Sequence, residues 1–183
     1  MRVTLFMVMS TNGIIARPDY REDFLSRENW DSFLECVRQT GALIWGRKTH
    51  EKVRKYGAKY FEPLAGTRNV VVTAQRDFVA SEPGFEVAAS PQQALEVLKA
   101  RGCAYATLGG GSILNSAFAR AGLIDEVVVN IEAVIVGRGI PLFSPDDFDL
   151  RLRIGSTSRI TDRVAQLRTT VVKSDGAHEV AES

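Results

Sequence analysis

The sequence predicts a single α/β domain: a mostly parallel central sheet with helices on both faces, finished by a C-terminal antiparallel hairpin. Three observations lead there. Short β-branched or apolar runs alternate with helical patterns through the first two-thirds of the chain. Three consecutive glycines, Gly109, Gly110 and Gly111, separate one such run from one such helix. After Ile124 the helical patterns stop, and two strand-like segments follow. Strand–helix alternation implies parallel pairing through crossover helices, and an antiparallel end to such a sheet is common.

The first apolar run, residues 3–9, stops at Ser10-Thr11-Asn12-Gly13, which is turn chemistry. It reads as a buried strand, because a signal peptide needs a basic leader, a longer apolar stretch and a small-residue cleavage site. A helix follows, since Trp30, Phe33, Leu34 and Val37 recur at i, i+3, i+4 and i+7. Gly41 is placed to end it in a left-handed cap. Strand runs continue at 42–45, 69–73 and 86–88. Ser90-Pro91-Gln92-Gln93 then offers an N-cap serine, a proline at the first helical position and a capping-box glutamine. Leu95 and Leu98 face inward from that helix, and Gly102 stops it. Residues 104–108 form the next strand. Beyond the glycines, Ile113, Leu114, Ala117 and Phe118 make the apolar side of a third helix, closed by Gly122. Strand 124–131 follows, and 150–158 with 164–172 form the hairpin around Arg159-Ile160-Thr161-Asp162-Arg163. The domain is expected to span 1–173, with a disordered polar tail at 174–183.

A chain of 183 residues suits one domain, and 45% hydrophobic with 25% charged residues is ordinary globular composition. Lys and Arg number 23 against 22 Asp and Glu, for a net charge of +1. That balance gives no broad electrostatic case for nucleic acid or a membrane surface. No run approaches the ~20 apolar residues of a membrane span. Cys36 and Cys103 have neither metal-ligand spacing nor a disulfide framework, which points to a reducing, cytoplasmic setting and to no metal site.

The chemistry gathers at strand ends. Tyr105-Ala106-Thr107-Leu108 runs into Gly109-Gly110-Gly111-Ser112 and then into a helix. Glycines admit close backbone approach, and the open N–H groups of a helix start favour an anion such as a diphosphate. The same glycines also serve a tight turn that binds nothing, and alone they do not decide. Gly46-Arg47-Lys48-Thr49 ends another strand; it reads either as a solvated helix start or as a phosphate site. Two cations beside a helix N-terminus are unfavourable unless an anion lies between them. Val72-Thr73-Ala74-Gln75-Arg76 ends a third strand. Ligands of open parallel sheets bind beyond the carboxyl ends of the strands, where all three segments fall.

In this order and spacing, Ile44-Trp45-Gly46-Arg47-Lys48-Thr49, Asn69-Val70-Val71-Val72-Thr73 and Leu108-Gly109-Gly110-Gly111-Ser112 resemble the dihydrofolate reductase-like proteins. Asp125-Glu126-Val127 and Val136-Gly137-Arg138-Gly139-Ile140-Pro141-Leu142-Phe143 resemble, more specifically, the reductase domain of riboflavin biosynthesis and its stand-alone relatives. The resemblance covers nearly all of residues 1–172. It implies a dihydrofolate reductase-like fold, NADPH as cofactor, and a homodimeric, cytoplasmic oxidoreductase similar to 5-amino-6-(5-phosphoribosylamino)uracil reductase. It places the adenosine 2′-phosphate near Arg47, Lys48, Thr49, Thr73, Ala74 and Arg76. It places the diphosphate over Gly109, Gly110, Gly111, Ser112 and Ile113, with Leu114 following. The nicotinamide falls between Gly46 and the early loop 10–16, which ends at Ala16. A small heterocyclic substrate fills the remaining cleft, walled by the first helix and the loop 136–143.

The sequence departs from these relatives in two places. Riboflavin reductases carry Ser-x-Asp-Gly in the early loop, where this chain has Ser10-Thr11-Asn12-Gly13. Dihydrofolate reductases place an acid early in the first helix; Glu28 and Asp31 are nearest, and ungapped spacing from Gly46 lands on Trp30. Asp31 and Asn12 are the candidate catalytic residues, although Asp31 reads more readily as a solvated helix charge, for which Arg27 one turn earlier is a partner. The zinc deaminase pattern, His-x-Glu with Pro-Cys-x-x-Cys, is absent: no such cysteines follow His50-Glu51. His50 is expected to pack near the cofactor, and His178 lies in the tail. Arg17 and Lys59 read as surface charges that could also reach a substrate phosphate. Hydride transfer needs positioning more than reactive side chains, which suits a chain without an evident nucleophile. Dihydrofolate reductase activity and a non-catalytic NADPH-binding module remain the alternatives.

Overall fold

The computed structural model describes residues 1–173. The tail 174–183, expected to be disordered, lies outside the described residues together with His178. In chain order the elements are β1 (Arg2–Ser10), β2 (Ile14–Ala16), α1 (Glu28–Thr40), β3 (Ala42–Gly46), α2 (Arg47–Tyr56), β4 (Arg68–Val72) and β5 (Phe85–Ala88). Then come α3 (Pro91–Ala100), β6 (Tyr105–Leu108), α4 (Ser112–Arg120), β7 (Glu126–Glu132), β8 (Ile140–Pro141), β9 (Leu152–Arg159) and β10 (Val164–Val171). An eight-stranded sheet runs β5-β4-β3-β6-β1-β7-β10-β9. Its first six strands are parallel. β10 pairs antiparallel with both β7 and β9, so the expected mixed architecture is what the chain forms.

Alternation along the strands assigns each side chain to a face. On β1, Val3 and Leu5 join one core with Ala42 and Ile44 of β3, beneath α3 and α4. Phe6 joins the opposite core with Leu43, Trp45 and Val128, beneath α1 and α2. The strands read as unbroken apolar runs because both faces are covered. Gly41 ends α1 in the left-handed conformation, φ 72°, as its position predicts. Ser90 caps α3 by accepting from Gln93 N at 3.2 Å.

Three details differ from the expectation. Ile113, assigned to the apolar side of its helix, is 70% exposed, because the first turn of α4 projects beyond the sheet end while Leu114 and Phe118 turn inward. The hairpin strand β9 is exposed along its whole length, since it is an outer edge and no helix among the described residues covers it. A small antiparallel pair, β2 with β8, closes the early loop against the 136–143 segment. No helix among the described residues is long and apolar enough to cross a membrane.

Candidate active site

β4, β3 and β6 are neighbours in the sheet, so their carboxyl ends, carrying the three predicted segments, lie side by side. Backbone bonds lock two of them together: Gly46 N donates to Gly110 O and Gly109 N to Ile44 O, both at 2.8 Å. The Gly110–Gly111 peptide is cis. A Cβ on Gly110 would stand 2.6 Å from Met7 Sδ, and one on Gly109 3.0 Å from the Phe33 ring. A Cβ on Gly111 would meet only Thr49 Oγ1, at 3.5 Å, so this glycine faces open space beside a hydroxyl.

α4 begins directly from this turn. Gly111 is its N-cap and supplies no side-chain bond, and no acid occupies the first turn. The helix ladder starts with Asn115 N donating to Gly111 O at 2.9 Å. The N–H groups of Ser112, Ile113 and Leu114 therefore precede the ladder and point out of the helix end. Asn115 Nδ2 donates to Leu142 O at 2.8 Å, while its buried Oδ1 has no partner among the described residues. A helix start without an acid, an uncapped turn and a glycine cradle together fit an anionic diphosphate.

α2 repeats the arrangement at the end of β3, with Gly46 as an N-cap that makes no side-chain bond. Arg47 pairs with Glu51 at 2.8 Å, and Lys48 Nζ donates to Tyr20 OH at 3.1 Å. Thr73 Oγ1 accepts from Gln75 N at 3.1 Å, while Ala74 and Arg76 are exposed just beyond β4. Ala16 is buried and pairs with Ile140, so its side chain belongs to the small sheet.

Beside the glycine cradle opens a cleft of about 460 Å³. Phe6 and Val8 of β1 form its floor, Asn29, Trp30 and Phe33 of α1 one wall, and Lys52, Val53 and Tyr56 of α2 the other. Trp30 packs against Phe33 at 5.3 Å and edge-on to Tyr60 at 5.2 Å between ring centres. Thr49 and Gly109 line this cleft as well, so cradle and cleft share a wall. The loop 136–143, expected as a wall, does not line it; β8 ties that loop to β2, and Leu142 N donates to Gly13 O. Arg21, Glu22, Asp23, Leu25 and Ser26 take its place.

Neither candidate catalytic residue lies on the cleft. Asp31 is exposed on α1 and has no ion-pair partner among the described residues, Arg27 included. The helical period turns Asn29, Trp30 and Phe33 toward the sheet and Asp31 away from it. Asn12 bridges two loops: its Oδ1 accepts from Ser10 Oγ at 2.8 Å and Val136 N at 3.0 Å, and its Nδ2 donates to Val136 O at 2.8 Å.

What the sequence reading missed is a buried polar group behind Asn29. Glu132, 2% exposed, accepts from Ser26 N at 3.1 Å, Ser26 Oγ at 2.5 Å and Asn29 Nδ2 at 2.9 Å. Asn130 Nδ2 donates to Asn29 Oδ1 at 3.0 Å, and Gln166 Nε2 donates to Asn130 Oδ1 at 2.9 Å. Strand alternation carried the signal, because Val128, Asn130 and Glu132 share the α1 face of β7.

His50 does not reach the cleft. It is 1% exposed, ringed by Trp45, Phe61, Phe78 and Phe85, with Nε2 2.6 Å from Glu82 Oε2. Burial holds its pKa below the usual value, and the Glu82 carboxylate pulls in the opposite direction without overcoming it. Burial likewise pushes the Cys36 thiol up, which keeps it an unreactive core residue.

A family model described as the RibD C-terminal domain matches residues 1–166. Uncharacterized protein YwjB of Bacillus subtilis (strain 168) is 24% identical over 166 residues, covering 89% of this chain and 94% of its own length. A Shewanella sp. PV-4 protein whose suggested role is in riboflavin biosynthesis superposes with a TM-score of 0.82 at 20% identity, over 94% of this chain and 100% of its own. RibD of Acinetobacter baumannii superposes with a TM-score of 0.76 at 18% identity, over 94% of this chain and 58% of that longer one. At such identities the superpositions speak for the fold, which is dihydrofolate reductase-like.

Proposed function

The chain belongs to the RibD C-terminal domain family, and from that premise we propose that it is an NADPH-dependent reductase of a small heterocyclic metabolite. The observation that carries this reading is the shared wall: Thr49 and Gly109 border both the glycine cradle and the aromatic cleft. Anything held on the cradle abuts anything held in the cleft, as hydride transfer requires.

In this reading NADPH supplies a hydride, and the protein supplies position. Gly109, Gly110, Gly111 and the first turn of α4 hold the diphosphate, with Ile113 exposed over it. Arg47, Lys48, Thr73, Ala74 and Arg76 receive the 2′-phosphate at adjoining strand ends, while Thr49, expected there too, stands beside the cradle and the cleft. Trp30, Phe33 and Tyr60 hold a flat acceptor and exclude water. The α1 residues that face the cleft are Asn29, Trp30 and Phe33, none of them an acid, and Asp31 is turned away, which disfavours dihydrofolate reductase activity.

Titration with NADPH and NADH, followed by nicotinamide fluorescence, tests the reading in the unmodified protein and in Arg47→Ala and Arg76→Ala. NADPH preference that weakens in either variant is expected. Failure to bind either nucleotide removes the reductase reading. Tight binding without reduction of any heterocycle leaves a nucleotide-binding module instead.

We also propose that the protein is a homodimer joined at β9, a sheet edge left uncovered by the described residues that exposes Leu152 and Ile154. Light scattering should give twice the chain mass, and Ile154→Lys should halve it.

A further inference from the structure

We propose that the acceptor is a flat heterocycle that carries no phosphate group, an inference that rests on the reductase reading of the cleft. The lining contains two cations, Arg21 and Lys52, and two carboxylates, Glu22 and Asp23. Both cations are occupied. Lys52 Nζ lies 3.1 Å from Glu22 Oε1 and also donates to the Tyr20 carbonyl. Arg21 Nε lies 2.7 Å from Asp19 Oδ2, and its Nη1 3.5 Å from Asp23 Oδ2. Arg17, a surface charge within reach, is bound by Asp23 at 2.6 Å.

These pairs are partly exposed, so breaking one costs little. The obstacle is what remains afterwards. A phosphate dianion that drew Lys52 or Arg21 away would face Glu22 and Asp23 without their counter-charges, and like charges set together at a binding site weaken binding strongly. The rest of the cleft is built for an uncharged ring: Trp30, Phe33, Tyr56 and Tyr60 offer aromatic faces and edges. Its polar end is the amide of Asn29, clamped between Glu132 and Asn130, which offers hydrogen bonds and no charge. Lys59, over the Tyr60 ring at 5.4 Å, stands outside the lining.

Both tryptophans of the chain, Trp30 and Trp45, line the cleft, so intrinsic fluorescence reads its occupancy without cofactor. Two matched pairs serve as probes: neopterin with neopterin 3′-phosphate, and uridine with uridine 5′-phosphate. At least one unphosphorylated member should bind about tenfold or more tighter than its phosphate. The double variant Glu22→Gln, Asp23→Asn should shrink that ratio severalfold. Equal or tighter binding of the phosphates overturns the proposal, and its loss in Lys59→Ala would show which cation serves them instead. Binding of none of the four compounds overturns it too. Because the measurement omits NADPH, a failed nucleotide titration removes the reductase reading without deciding this comparison.

Discussion

Asn29 and Glu132, 103 residues apart in the chain, meet at 2.9 Å, the amide Nδ2 donating to the buried carboxylate Oε2. The contact joins α1 to the end of β7 behind the aromatic cleft. Ser26 gives the same carboxylate two more donors, and Arg163 Nη2 reaches both Ser26 Oγ at 3.1 Å and Glu132 Oε1 at 3.4 Å, so this cluster helps to hold the loop leading into α1.

Replacing Glu132 by alanine strands those donors in a closed space. We expect Glu132→Ala to lose roughly 2–3 kcal/mol of stability, the cost of leaving buried polar groups unpaired, read as a lower urea midpoint. Glu132→Gln keeps the volume and part of the bonding and should lose less. In that variant acceptor binding should weaken while NADPH binding is retained, because Asn29 lines the cleft and not the cradle.

The glycine cradle gives a paired prediction. Gly110→Ala would drive a methyl group to 2.6 Å from Met7 Sδ at a residue with φ +80°, so it should lower the melting temperature and abolish NADPH binding together. Gly111→Ala meets only Thr49 Oγ1 at 3.5 Å and should fold normally. Its methyl would still stand on the proposed diphosphate face, so its NADPH affinity should fall about tenfold or more. A Gly111→Ala variant with full affinity would move the diphosphate elsewhere.

His50 gives the fold a pH dependence. Its folded pKa lies below the usual 6.5 because burial disfavours the imidazolium, with Glu82 and Glu51 acting against that shift and Arg54 with it. The unfolded chain therefore takes up the proton first as pH falls. The stability that depends on a neutral His50 is complete above about pH 6.5 and declines as pH drops through the lowered folded value. Melting temperatures measured from about pH 7.5 down to 5 should show this decline. His50→Gln should be less stable throughout, with a shallower slope.

Ser90→Ala tests the cap of α3 far from the site. Removing the hydroxyl that accepts from Gln93 N should cost roughly 1 kcal/mol, measured by urea unfolding. Affinities for NADPH and acceptor should not change.

Local signals carried the fold and half of the site. The caps at Gly41 and Ser90, the helix of Trp30, Phe33 and Val37, and the glycines before Ser112 each act within a few residues, and the chain obeys them. The three segments proposed for the cofactor share that local character: each is a strand end followed by backbone able to meet an anion. Ile113 misled because periodicity assigns a helix face without knowing where the sheet beneath it ends.

The aromatic cleft was not legible in this way. Glu132 lies buried because β7 adds to β1 and aligns Ser10 with it, so that strand alternation turns the carboxylate toward α1. Arg21, Glu22, Asp23, Leu25 and Ser26 wall the cleft, and 136–143 do not, because Tyr20 contacts Lys48 and Lys52 while β8 pairs with β2. By itself the sequence determined the α/β class, the order of elements and the segments fit for a dinucleotide, since period and turn chemistry are short-range properties. Only the tertiary structure decided which side chains meet across the cleft and with what charge, since strand order and register set those long-range contacts.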